Sequence, residues 1–270
     1  MRLLMVASLA GLFAATRPST TEAQYRRQRG DTLRYRVMAL TADSLESPQG
    51  TTPLKRMQDA FIGLVFGTGD TATAWYDTLR LAVVLRADTT EFDTRQAIHQ
   101  PILLGVDPRG RVTIRAVPDF PPWGDPFPDL TYQFADFFLD LPSDLRLFPG
   151  RTWADTIIEY DSTPGSWTNF VQRFIDCTVT GDTVLHGLSA QVIRASQHIE
   201  MISVLRVPGE APTTGSHLDG FDSALFLFAA DSGLLLAHRH RSQFTGTMVL
   251  EGGRQRPVRR TYLADIELLR

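Results

Sequence analysis

Two histidines stand two positions apart in LLLAHRHRSQF, residues 234–244. If this segment is a strand, alternate side chains share a face. His238 and His240 then fall with Leu234, Leu236, Ser242 and Phe244, while Ala237, Arg239, Arg241 and Gln243 point the other way. Two imidazoles at that spacing can reach one metal ion, but a zinc site takes a third and usually a fourth ligand. No HExxH or paired CxxC motif supplies them, so His217, Asp219 and Asp222 of SHLDGFD are the nearest candidates. Three readings stay open for the pair: a metal-dependent enzyme, histidines lining a partly wet cavity, and histidines satisfied within a core.

Other chemistry has less to stand on. Cys177 in FVQRFIDCTV alternates with Val171, Ile175 and Val179, the position of a small buried hydrophobe. There is no GxSxG elbow, and the glycine pairs have no strand-to-helix phosphate loop after them. Asp136 and Asp140 are spaced i, i+4, which on a helix places both on its solvated side. No catalytic residue, cofactor or bound metal is therefore assigned.

These residues must be positioned by strands. DTLRYRVMA, DTLRLAVVLRAD, RVTIRAV and PVRRTYLADIELL each alternate apolar with polar residues, and the polar phase is rich in arginine. That arginine face is either solvated surface or a dock for an anionic partner. Turn residues recur between the runs: GTGD at 67–70, DPRG at 107–110, TGD at 180–182, ADSG at 230–233 and EGG at 251–253. Tight turns join antiparallel neighbours, so the pattern predicts an antiparallel meander of roughly ten strands. One segment departs from it. In PDLTYQFADFFLDLP the residues Leu130, Phe134, Phe137, Phe138 and Leu141 form one helical stripe, which predicts an amphipathic helix over 130–141. Asp129 is placed to cap its start, and Pro142 follows its end. With the proline-rich VPDFPPWGDPFPD before it, this helix divides the meander into halves of about 24–117 and 142–270.

The ends and the charge narrow the class. MRLLMVASLAGLFAATRPSTTEAQ has one early arginine, an apolar run too short to span a bilayer and small residues at Thr21 and Ala23, the layout of a cleavable export signal over 1–23. The single cysteine allows no internal disulfide. A formal net charge of −3 and a pI near 6.1 provide no general basic field for nucleic acid, and no later stretch is long and apolar enough for a transmembrane helix.

The order of elements, with pieces such as GDTLRYRV, LPSDLRLFPGRTWADT and DSGLLLAHRH, resembles the LolA/LppX-like superfamily of bacterial envelope proteins. The resemblance implies a curved, half-closed β-barrel with helical cover on its concave face, and carriage of lipid in the periplasm.

The expectation is thus an all-β domain over 24–270 with one amphipathic helix, forming a curved half-barrel with the helix on its concave face. Its function is that of a soluble periplasmic or secreted protein binding a hydrophobic small molecule or lipid. Phe134, Phe137, Phe138, His238 and His240 are the expected ligand-binding residues. The alternative is a structural protein of the envelope with a packed interior and a protein partner. Mass analysis of protein from its native host should find the chain beginning near Gln24; an intact Met1 would exclude the export signal.

Overall fold

The computed structural model describes residues 23–25, 31–47, 50–86, 88–118, 134, 137–162, 167–205, 214–250 and 253–269. The alternating pattern folds as expected. The chain forms β1 (Thr32–Ser47), β2 (Gly50–Phe66), β3 (Thr71–Leu85), β4 (Asp88–Glu91), β5 (Ile102–Val106), β6 (Val112–Ala116), β7 (Thr152–Ser162), β8 (Trp167–Leu185), β9 (Leu188–Leu205), β10 (Thr214–Ala229), β11 (Leu234–Leu250) and β12 (Arg254–Leu269). All belong to one antiparallel sheet in the order β6-β5-β3-β2-β1-β12-β11-β10-β9-β8-β7, with β4 also beside β3. The sheet does not close into a barrel, and β6 and β7 lie at the two ends of that order.

Two meanders, β1–β6 and β7–β12, meet where β1 pairs with β12 from Arg34↔Leu269 to Leu45↔Val258. The segment between Ala116 and Thr152 therefore has to connect one edge of the sheet to the other.

The expected helix is not found there. Leu130–Gln133, Ala135 and Asp136 lie outside the described residues, and the described part of 130–141 has no α-helix. Its amides bond elsewhere: Leu141 N–H donates to the Arg109 carbonyl (2.8 Å) and Leu139 N–H to the Tyr25 hydroxyl (2.8 Å). The helical spacing of the phenylalanines arises because every described apolar residue of this stretch is buried, Leu139 included. Phe137 meets Tyr35 edge to face (4.9 Å) and Phe138 meets Tyr25 likewise (5.1 Å). The described residues of the segment form an irregular aromatic plug.

Tyr25 belongs to the same plug. Its ring fills the space left by Gly110, whose φ of 96° only glycine adopts easily; a Cβ at Gly110 would lie 2.3 Å from that ring. Beside it, Arg109 and Arg111 reach Asp140 (3.1 and 2.8 Å) and also pair with Asp155 on β7. This arginine–aspartate cluster draws the corner of β6 toward β7 and curves the sheet. Asp140, expected on a solvated face, lies within the cluster with its side chain only 13% exposed. Burial and the hydrogen bond it shares with Asp155 push its carboxyl up to about 6.

One expected turn is also displaced. TGD at 180–182 lies inside β8 at a bulge, and the hairpin turns at His186-Gly187, both with positive φ (53° and 74°) as a type I′ turn requires. The arginine face is convex and largely ion-paired, as in Arg34–Asp77 (3.2 Å), Arg36–Asp59 (3.1 Å) and Arg239–Asp265 (2.9 Å). Exposed pairs of this kind add at most about 1 kcal/mol each.

Because Phe137 is 1% exposed and enclosed by aromatic rings, Phe137→Ala should cost about 3–5 kcal/mol. The shift in the urea midpoint measures it; a loss under about 1 kcal/mol would mean the plug is not part of the core.

Candidate functional site

The inward residues form rows that run across neighbouring strands, because paired positions share a face. Nearest the plug is a row of large side chains that includes Val37, Ile266, Phe226 and Ile193, with His238 among them. The next row is small across its middle: Ala39, Ala264, Ala224, Ala195 and Cys177, with His240 the large member among them and Gln58 and Trp153 flanking them on β2 and β7. Beyond it comes a polar row of Thr41, Tyr262, Ser242, Asp222 and Gln197. The following row carries Asp43, Arg260, Phe244, Ile199 and Arg173. Gly220 lies in that row opposite Phe244, where a Cβ would come within 2.6 Å of the phenyl ring.

Alanines cannot fill the span between the two halves of a curved sheet. They leave a cavity of about 830 Å³, lined from Phe138 and His238 at the plug to Met201 and Arg260 toward its other end. That volume lies within the range of about 300–1,000 Å³ for small-molecule sites. The concave face is thus not uniformly apolar as expected: it is apolar and packed at the plug, polar across the middle, and apolar again around Ile199, Leu218, Phe244 and Val258.

The polar row is organised by Asp222, which is 3% exposed. Its carboxylate accepts from Ser242 Oγ (2.5 Å), His240 Nδ1 (3.2 Å) and Gln197 Nε2 (3.4 Å). Arg173 pairs with Glu159 at 3.2 Å. Burial works against both charges, lowering the guanidinium to about 10 and raising the carboxyl. Asp43 binds both Arg260 (2.7 Å) and Arg56. Burial near Asp222 raises the Tyr262 phenol to about 12.

Of the five expected binding residues, Phe138, His238 and His240 line the cavity. Phe134 and Phe137 do not; each is 1% exposed within the plug. The two imidazoles stack at 4.9 Å instead of converging on a point. Of the further candidate ligands, His217 and Asp219 face the convex side, bonded to Glu200 (2.9 Å) and His198 (2.8 Å). Among the described residues no group of three His, Cys, Asp or Glu could hold a metal ion. The residues missed were Ser242, Gln197, Tyr262, Arg173 and Glu159, and Asp222 was considered only as a metal ligand. A usable signal was present, since Asp222 is in phase with Leu218, Phe226 and Phe228 and so is a carboxylate on an inward face.

The class is that of an all-β protein whose single large, open antiparallel sheet holds a cavity on its concave side. No family model matches the sequence and no curated protein matches it. The fold is similar to that of lipovitellin, in a solved structure describing its lipid–protein interactions, with a TM-score of 0.50 and 12% identity over 91% of this chain and 26% of that one. This chain thus spans about a quarter of the lipovitellin chain, and the likeness is one of fold.

Cys177 lies on the expected face with Val179, 3% exposed, and burial pushes its thiol up to about 12. Native protein should therefore react with a thiol reagent far more slowly than denatured protein; equal rates would place the thiol in the open.

Proposed function

We propose that this protein is an exported binding module that holds a hydrophobic or amphiphilic small molecule, such as a lipid, in its concave cavity. One observation carries the reading: where Ala39, Ala195 and Cys177 line the middle of the sheet, their small side chains leave a cavity of about 830 Å³ between an aromatic floor and a polar band. A structural protein of this size gains stability by filling such space, since empty apolar volume forfeits packing. The fold likeness to lipovitellin supports it, because the solved structure concerns lipid–protein interactions. The apolar N-terminal run supports export to the periplasm or beyond; cleavage before Gln24 would keep Tyr25 but remove Ala23, which is buried and donates its N–H to the Leu145 carbonyl (2.6 Å).

Ala195 tests the reading. Its methyl group faces the cavity between Cys177 and Ala224. Ala195→Phe should abolish uptake of the neutral fluorescent probe N-phenyl-1-naphthylamine while leaving the melting temperature within a few degrees of the original, because the new ring enters open space. If the wild-type protein takes up no probe and the substitution costs the 1–3 kcal/mol or so of an overfilled core, the interior is packed and the binding reading falls to the structural one.

A further inference from the structure

Two opposite charges on the cavity wall are only partly answered by the protein's own side chains. Arg260, on β12, lines the cavity with its side chain 25% exposed. Its Nε and Nη2 donate to Asp43 (2.7 and 3.1 Å), a carboxylate it shares with Arg56, and its Nη1 has no partner among the described residues. Two positions along the same inward face, the Tyr262 hydroxyl has no hydrogen-bond partner among them either, while its ring meets His240 edge to face at 4.8 Å. A guanidinium edge and a phenol so placed are donors for an anion, and a phosphate accepts several such bonds at once.

Asp222, on β10, is the opposite case. Ser242, His240 and Gln197 donate to it, and among the described residues no arginine or lysine is paired with it; Arg173, on the same wall, is paired with Glu159. The Asp222 side chain is 1% exposed, so a ligand cannot add a further N–H to its three donors. Its charge still acts across the cavity, because Coulomb attraction is far stronger at low effective dielectric than in water. A quaternary ammonium, a cation with no N–H to place, suits those conditions. The small side chains beside Asp222 leave room for its bulk, and the rings of Phe226, Trp153 and Tyr262 line the same space, surfaces that such cations favour.

The two charges lie in order along the cavity. Asp222 is in the polar row and Arg260 in the next row away from the plug, and the usual strand spacing of about 4.8 Å puts β10 and β12 roughly 10 Å apart. Beyond Arg260 the inward wall turns apolar at Leu218, Val258 and Met201. From the plug outward the wall thus presents a negative charge, then a positive one, then an apolar lip. Its complement ends in a cation, carries an anion next to it and then a tail.

Resting on the binding reading above, we propose that the cavity takes zwitterionic amphiphiles with a phosphocholine-type head, the phosphate on Arg260 Nη1 and the Tyr262 hydroxyl, the quaternary ammonium deeper beside Asp222, and the tail leaving past Leu218 and Met201.

The test is displacement of N-phenyl-1-naphthylamine from the full chain at pH 8.5, above the range in which histidines ordinarily carry charge. The compounds, held below their micelle concentrations, are dodecylphosphocholine, dodecyl phosphate, dodecyltrimethylammonium, 1-dodecanol, dodecyl sulfobetaine, whose dipole is reversed, and phosphocholine without a tail. Dodecylphosphocholine should bind about ten-fold or more tightly than each of the others, because every comparator leaves a wall charge unmatched, reverses the dipole or lacks the tail. Asp222→Asn keeps the shape of the side chain and removes its charge, so dodecyl phosphate should then bind at least as tightly as dodecylphosphocholine. Arg260→Gln should do the same for dodecyltrimethylammonium. Should either variant fail to fold, the other still reads the dipole, and in the wild-type protein nuclear Overhauser contacts should run from the ligand's N-methyl protons to the rings of Phe226 and Tyr262. A comparator that matches dodecylphosphocholine, an unchanged order of affinities in a folded variant, or N-methyl contacts to Met201 and Val258 instead overturns the head-group assignment, while uptake of the probe leaves the binding reading in place. Failure of the probe and of every compound to bind removes both.

Discussion

Pairing of β1 with β12 is the contact on which the rest of the structure depends. It joins the two meanders through a continuous register from Arg34↔Leu269 to Leu45↔Val258, and so puts the first and last strands in the middle of the sheet. The edges are consequently internal strands, β6 and β7, and the chain linking them has to pass from one side of the curve to the other. Phe134, Phe137, Phe138 and Leu141 lie on that passage and pack against Tyr25, Tyr35 and Tyr76. Sheet topology thereby decides which end of the concavity is sealed and which stays open.

The interior beyond the plug is not built for maximal stability. Asp222, Asp43 and Arg173 are charged groups withdrawn from water, and a buried pair often does no better than well-packed hydrophobic residues in the same volume. Each is held by specific partners instead: Asp222 by three donors, Asp43 by two arginines, Arg173 by Glu159. Such side chains hold their positions through directional contacts, which suits a wall that must keep its shape around a guest.

How much of this was legible depends on what period-two alternation encodes. It separates inside from outside along each strand, so the meander, the convex arginines of β1 and the inward phase of His238 and His240 could all be read. It does not say which inward residues touch each other, because that depends on register between strands far apart in sequence. The alanine row is of this kind: Ala39, Ala195, Ala224 and Ala264 are unremarkable in their own segments and become a gap only when β1, β9, β10 and β12 are laid side by side. The plug failed for the opposite reason. When apolar side chains on every side of a short stretch are buried, as from Phe137 to Leu139, phenylalanines at helical spacing arise without a helix, and nothing local shows that the amides of Leu139 and Leu141 will find Tyr25 and Arg109.

The central pairing also sets the order in which the molecule can assemble. Asp43 and Arg260, which meet across β1 and β12, are 217 positions apart. Closing so long a loop must precede any reward from the contacts it brings together, and folds dominated by distant pairings form slowly. Until it closes, each meander stands alone, and β1 and β12, shielded on both sides in the finished sheet, are bare edges able to pair with any other chain nearby. The most protected strands of the native protein are therefore the most vulnerable ones during its birth.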